Sequence, residues 1–259
     1  MQTILKNPKL LTLWQDYVTL REQGRKKLAN KTLNDFIALL KQQDKQTNTA
    51  FVEQLCKIMI GRKHLPTLSF RKSIGYPDDI QHSLFKEIFF PVLVDWYTDS
   101  NALHMQWIAQ LSRCFNRDWP TAQDFIKAIG ITDDEHHYDI NYLKKSYQLD
   151  PHPDTLNMIL IRLAQGVSFD LHHMPEVVLS GPDEYDSWID KLEHYLQFCE
   201  DELEPRWQID LSTWRNIGKH WRTYFDKRKE YDGFYDYQQK HNLNLDQSFT
   251  ALNELYKSL

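Results

Sequence analysis

The side chains best suited to chemistry in this chain are two histidine pairs. His136-His137 follows Asp133-Asp134-Glu135, and His172-His173 precedes Glu176. Imidazole beside carboxylate is a ligand set for zinc or manganese, and a metal-activated water would make such a centre hydrolytic. Adjacent histidines on a helix project about 100° apart, so each pair offers a single ligand to a given ion. No His-Glu-x-x-His and no repeated Glu-x-x-His spacing supplies the rest of a site. A metal-dependent hydrolase built on His136/His137 and His172/His173 is therefore the alternative reading, and no catalytic residue, metal or cofactor is expected.

Other catalytic signatures are missing. Glycine occurs only eight times, and neither a phosphate-binding glycine loop nor a G-x-S-x-G elbow is present. Cys56, Cys114 and Cys199 lie far apart among apolar residues, a pattern of buried reduced thiols rather than a disulfide framework or a zinc motif. The segment Asp170 to Glu176 carries several ionisable groups where a helix gives way to a loop. Loops held by rigid helices are where function concentrates, although a helix end favouring histidine through its dipole accounts for it more simply.

Charge offers a binding surface where catalysis lacks one. Residues 1–130 hold 18 Lys or Arg against 12 Asp or Glu, net +6, and residues 131–259 hold 13 against 24, net −11. A dipolar distribution steers charged partners. The acidic excess concentrates at Asp183, Glu184, Asp186, Asp190 and Glu193, then at Glu200, Asp201, Glu202 and Glu204. Positions 186, 190 and 193 share one helical face, where like charges repel and a basic partner would relieve them. Asp183, Asp186, Asp190 and Glu193 are accordingly the expected docking carboxylates. Tyr231, Phe234 and Tyr235, in an aromatic run around Gly233, are the expected aromatic anchors. Further along, Arg215, Lys219 and Arg222 form a basic stripe beside Trp214, Trp221 and Phe225. Such a helix could contact phosphates, but the acidic surroundings disfavour nucleic acid, and the stripe has the neighbouring acidic helix to meet.

These groups must be carried by helices. Scarce glycine disfavours tight hairpins, and apolar residues recur at spacings of three and four throughout. Leu10 to Leu20 and Leu28 to Leu40 read as a helical hairpin interrupted at Gly24, followed by a third helix through Phe51, Leu55 and Met59. Lys63 to Asp79 reads as a loop. Leu84 to Tyr97 is apolar nearly all round, the mark of a central helix, with Pro91 expected to kink it. Asn101 caps the next helix, Pro120 opens another that ends at Gly130, and Tyr138 to Tyr147 forms one more. Asp154 caps a helix through Leu163, and the Gly181-Pro182 turn opens the acidic one. An aromatic helix from Leu211 to Glu230 and shorter ones at Phe234–Lys240 and Leu245–Ser258 complete the chain. The expected fold class is all-α, an irregular α-α superhelix or multi-helix bundle built from antiparallel helix pairs. It forms a single domain over 1–259, with a subdivision near 130 between a basic and an acidic half.

The stretch Tyr142-Leu143-Lys144-Lys145-Ser146-Tyr147-Gln148-Leu149-Asp150-Pro151 resembles the second helix and closing turn of a tetratricopeptide repeat, with Ser146 at the close-packing position and Thr155 to Ala164 opening the next. Asp139 stands where the repeat places a small residue. The resemblance implies peptide or protein binding in a concave groove. The chain as a whole is similar in pattern to bacterial all-helical proteins.

The N-terminus lacks the apolar run of a signal peptide, and no segment approaches the ~20 apolar residues needed to cross a bilayer. A soluble, cytoplasmic protein without membrane contact is expected. The function expected from these observations is a non-catalytic protein-binding helical module, of the immunity, antitoxin-like or adaptor kind, whose partner is a basic protein.

Overall fold

Pro8 opens the first helix because its missing N–H costs nothing there, and Asn7 supplies the cap by accepting from the Lys9 N–H at 3.0 Å. The computed structural model describes residues 1–59, 80–115, 119–132, 139–199 and 204–245. Among these the protein is all-α. The expected loop at Lys63–Asp79 and most of the last expected helix, Leu245–Ser258, lie outside the described residues.

The helices fall into two compact units, residues 1–150 and 151–259. The break lies some twenty residues beyond the charge boundary near 130, for a local reason given below.

In the first unit, α1 (Pro8–Glu22) and α2 (Lys26–Leu40) form the expected hairpin, turned by Gly24 at φ +70°. With α3 (Lys45–Met59) they enclose an aromatic core. The rings of Phe36 and Phe51 lie 5.2 and 5.1 Å from that of Trp14, and all three residues are buried.

A helical turn at His82–Leu84 runs through a π-helical stretch, Phe85–Phe89, into α4 (Phe90–Asp99). Here the expectation of a kink takes a specific form. Pro91 has no N–H for the carbonyl four residues back, and its ring would crowd that carbonyl. The preceding turn widens, so that the Phe90 N–H reaches the Phe85 carbonyl five residues back, and the helix continues. Ser100 ends α4 in the left-handed conformation, and Asn101 Oδ1 accepts from the His104 N–H at 3.3 Å as α5 (Ala102–Phe115) begins.

After α6 (Trp119–Ile129), helix α7 (Ile140–Leu149) returns to lie along α5. Buried Ser146 donates to the Ala102 carbonyl at 2.7 Å, so a small residue allows the close approach and its hydroxyl is satisfied by backbone. That contact places α7 in the first unit and moves the unit boundary to residue 150.

The second unit is built around α9 (Pro182–Leu196), which packs against α8 (Pro153–Leu171) and α10 (Glu204–Asp226). Both interfaces carry a glycine. A Cβ added at Gly166 on α8 would sit 3.0 Å from the Trp188 ring. One at Gly218 on α10 would sit 2.9 Å from Asp186 Oδ1 and 3.0 Å from the Tyr185 ring. Tyr185 is fully buried and donates to the Trp214 carbonyl at 3.1 Å. A turn at Arg228–Glu230 leads to α11 (Phe234–Lys240). His152, rather than the expected Asp154, caps α8: its Nδ1 accepts from the Asp154 N–H at 3.2 Å, while Asp154 lies inside the first turn.

The Gly218 notch gives a test. Replacing glycine by alanine in an ordinary helix interior gains about 1 kcal/mol. Here Gly218→Ala meets a buried ring that cannot move aside, and overpacking of this kind costs roughly 1–3 kcal/mol. A net loss of stability in urea denaturation, rather than the usual gain, is the expected outcome.

Candidate partner-binding surface

Helices α9 and α10 run antiparallel, as the order of their ion pairs shows. Arg215 reaches Asp190 and Glu193 near the C-terminal end of α9, and Arg222 reaches Asp183 and Asp186 near its N-terminal end. Arg215 binds Glu193 through two nitrogens, at 3.1 and 2.7 Å, and also contacts Asp190. Arg222 lies 2.6 Å from Asp186 and 2.8 Å from Asp183. The hydrogen bonds that Arg215 donates to Glu193 and Asp190 hold its guanidinium firmly charged, and those donated to Asp186 and Asp183 do the same for Arg222.

All four expected docking carboxylates thus lie in one ladder, each against an arginine of the basic stripe. They are not a bare acidic patch. Two guanidinium groups offset half of the four negative charges, and Lys219 stands exposed between them. Asp183 is still 93% exposed and Asp190 66% exposed, so a second molecule can reach them. The neighbouring acidic residues Glu200, Asp201 and Glu202 lie outside the described residues.

The three expected aromatic anchors separate. Phe234 is 1% exposed, with its ring 5.1 Å from that of Trp221 and 5.4 Å from that of Tyr224, so it belongs to the core. Tyr231 is half-buried, and its hydroxyl lies 3.1 Å from His241 Nε2. Tyr235 alone points outward, at 51% exposure. Trp214 and Trp221 are buried, but Phe225, on the last turn of α10, is turned out under the Arg228 guanidinium, 4.6 Å from its ring.

The segment following α8 is held from three sides. Asp170 Oδ2 accepts from the Ser180 hydroxyl at 2.6 Å, Trp221 Nε1 donates to the Ser180 carbonyl at 3.0 Å, and Gln238 Nε2 donates to the Pro175 carbonyl at 2.8 Å. Burial pushes the Asp170 carboxyl above its usual range, with Glu184 adding to the rise, while the Ser180 bond and His172 oppose it. His172 and His173 stack on each other with ring centres 4.0 Å apart, and His172 Nδ1 contacts the Phe169 carbonyl. Among the described residues no three His, Cys, Asp or Glu side chains converge as a metal site would require. The other pair, His136-His137, lies outside the described residues, so nothing here favours the hydrolase reading.

The sequence did not single out Phe169 (66% exposed), Leu179 (42%), Phe198 (48%) or Ile209 (56%). Periodicity assigns faces to a helix, but these residues lie at helix ends, in the connecting segment or on the outer stripe, where the apolar rhythm gives no direction. Their exposure is visible only in three dimensions.

Fold and surface together define an all-α protein whose second unit carries exposed aromatic groups and a compensated charge ladder. No family model, curated protein or solved structure matches this chain.

Two outcomes follow from the electrostatics. A double-mutant cycle on Arg215→Ala and Glu193→Ala should give a coupling of about 0.5–1 kcal/mol that shrinks with added salt, because both groups remain partly in water. Asp170→Asn keeps an acceptor for Ser180 while removing the buried charge. The folded-state pKa of Asp170 is raised, so its contribution to stability is fully present below the unfolded value and is lost as pH rises through the folded one. Wild type should therefore weaken relative to Asp170→Asn as pH climbs from about 4 to 7, and parallel pH profiles would refute the burial argument.

Proposed function

We propose that the chain is a non-catalytic protein-binding helical module that engages its partner through the second unit. The observation that carries this reading is the distribution of exposed apolar side chains. Six of the nine large apolar residues that stand exposed among the described residues belong to the second unit, and these include all four aromatic ones: Phe169, Phe198, Phe225 and Tyr235. Single exposed leucines are ordinary, but several aromatic side chains exposed on one unit favour association, since each covers a large area with few rotatable bonds.

The ladder tunes this surface rather than driving it. Four carboxylates against two arginines and Lys219 leave a small negative excess, which favours a basic partner without supplying most of the affinity. The tetratricopeptide-like segment in α7 is consistent with a scaffold role. Immunity-type and adaptor-type proteins both fit a module of this kind.

The test is affinity capture of the tagged chain from its native cells, with wild type and variants side by side. One stoichiometric partner is expected. Phe169→Ser and Tyr235→Ser should each weaken its binding, by about 30-fold where the side chain is a hot spot of about 2 kcal/mol. A partner retained equally by every variant, or no partner at all, would rule the reading out.

A further inference from the structure

The first unit carries a second, chemically different surface, which lies beyond the reading just given. An open, largely apolar groove of about 470 Å³ lies along α1, lined by Met1, Leu11, Trp14 and Val18 with Gln2, Thr3 and Gln15 as its polar members. One turn beyond Val18 the α1–α2 hairpin tip begins. It carries Arg21, Arg25, Lys26, Lys27 and Lys31, with Glu22 as the only acidic residue in the run. Arg21 is half-buried and the other four cations are exposed. Arg21 follows Trp14 by seven residues, hence lies on nearly the same side of α1, and a rise of ~1.5 Å per residue puts its Cα about 5 Å along the axis from that of Val18.

These cations differ from those of α10. Arg215 and Arg222 each hold two carboxylates, whereas among the described residues none of the five at the tip makes an ion pair. Their placement is also unfavourable within the fold. Arg25, Lys26 and Lys27 sit at the N-terminal end of α2, where the helix dipole is positive, with no acidic residue in the first turn and no side-chain cap. Lys27 and Lys31 repel at a spacing of four. An anionic partner removes this repulsion.

Apolar groove and basic tip lie end to end, and Leu28, 40% exposed, stands among the cations. We propose that this face of α1 binds an acidic amphipathic segment of a partner protein, an apolar side chain seating in the groove while carboxylates meet the tip. The groove is too open to enclose a small molecule, which ordinarily loses 70–90% of its surface to a pocket. An extended polyanion such as nucleic acid or an anionic membrane surface makes no use of an apolar groove.

The experiment measures binding to the full chain of four probes at equal ionic strength. They are a labelled 16-residue peptide alternating glutamate with leucine, poly-glutamate of the same length, a 20-base-pair DNA duplex, and phosphatidylserine vesicles. The leucine-containing peptide should bind tightest. Charge reversal at the tip (Arg25→Glu, Lys27→Glu, Lys31→Glu) should weaken it at least about 10-fold, and Lys227→Glu with Lys229→Glu in the second unit should leave it unchanged. Val18→Gln, checked for folding by circular dichroism, should weaken the leucine-containing peptide and spare poly-glutamate. Phe169→Ser and Tyr235→Ser should have no effect on either peptide, which separates failure here from failure of the surface proposed above. The inference is overturned if DNA or vesicles bind more tightly than the peptide, if poly-glutamate binds as well as the amphipathic probe, or if the second-unit reversal weakens binding as much as the tip reversal.

Discussion

Much of the second unit depends on how closely α9 can approach its two neighbours. Helix axes normally stand about 8–10 Å apart, set by the side chains between them. At Gly166 and Gly218 there is no side chain, and the space is taken by the Trp188 ring on one side and the Tyr185 ring with Asp186 on the other. Glycine weakens a helix by about 1 kcal/mol relative to alanine, so both positions carry a local cost. Burial of Tyr185, Ile189 and Leu192 in the contact, each with no measurable exposure, offsets it. The Tyr185 hydroxyl shows how specific the approach is: burial pushes its pKa far up, so it stays protonated and can donate only to an acceptor as near as the Trp214 carbonyl.

The ion-pair ladder is a consequence of that approach. Gly218 lies between Arg215 and Arg222 on α10, and its nearest neighbours on α9 are Tyr185 and Asp186. With the helices pinned there and running antiparallel, Arg215 falls opposite Asp190 and Glu193, and Arg222 opposite Asp183 and Asp186. The carboxylates that repel one another along α9 are thereby interleaved with cations from α10. Exposed pairs of this kind add little stability individually, and they follow from the face of α10 that the packing turns toward α9. Ile209, elsewhere on α10, is directed to solvent. The direction of causation matters for function: packing sets the register, register pairs the charges, and what remains for a partner is mostly apolar.

How far the sequence reveals this depends on the kind of interaction. The α1–α2 hairpin is legible because a strong three-four periodicity and a single glycine at the turn report the same local event, and the cap at Asn101 is equally local. Pro91 shows the limit of local rules. The lost hydrogen bond is legible, but the choice between a break and a widened turn is settled by tertiary packing of a helix whose faces are nearly all buried. The boundary at residue 150 was not legible, because it depends on Ser146 meeting Ala102 across 44 residues. The candidate site divides similarly. The carboxylate stripe and the basic stripe were each readable from spacing, and their meeting was foreseeable, but the consequence for net surface charge required their register. Phe234 and Tyr235 are neighbours in sequence with the same chemistry, and only the packing of α11 against α10 buries one and exposes the other.

Charge counted along the chain and charge presented to a partner are therefore different quantities. The C-terminal half is strongly acidic by count, yet four of its carboxylates are tied up by two arginines. The N-terminal half is only modestly basic by count, yet among the described residues its densest run of cations, from Arg21 to Lys31, finds no ion pair. A field at the surface is set by what remains uncompensated within roughly a Debye length, about 10 Å at 0.1 M salt. On that scale the hairpin tip concentrates more unbalanced charge than the acidic ladder does. Unbalanced charge at the tip acts at long range, whereas exposed aromatic side chains such as those of the second unit act only at contact, through the area they remove from water.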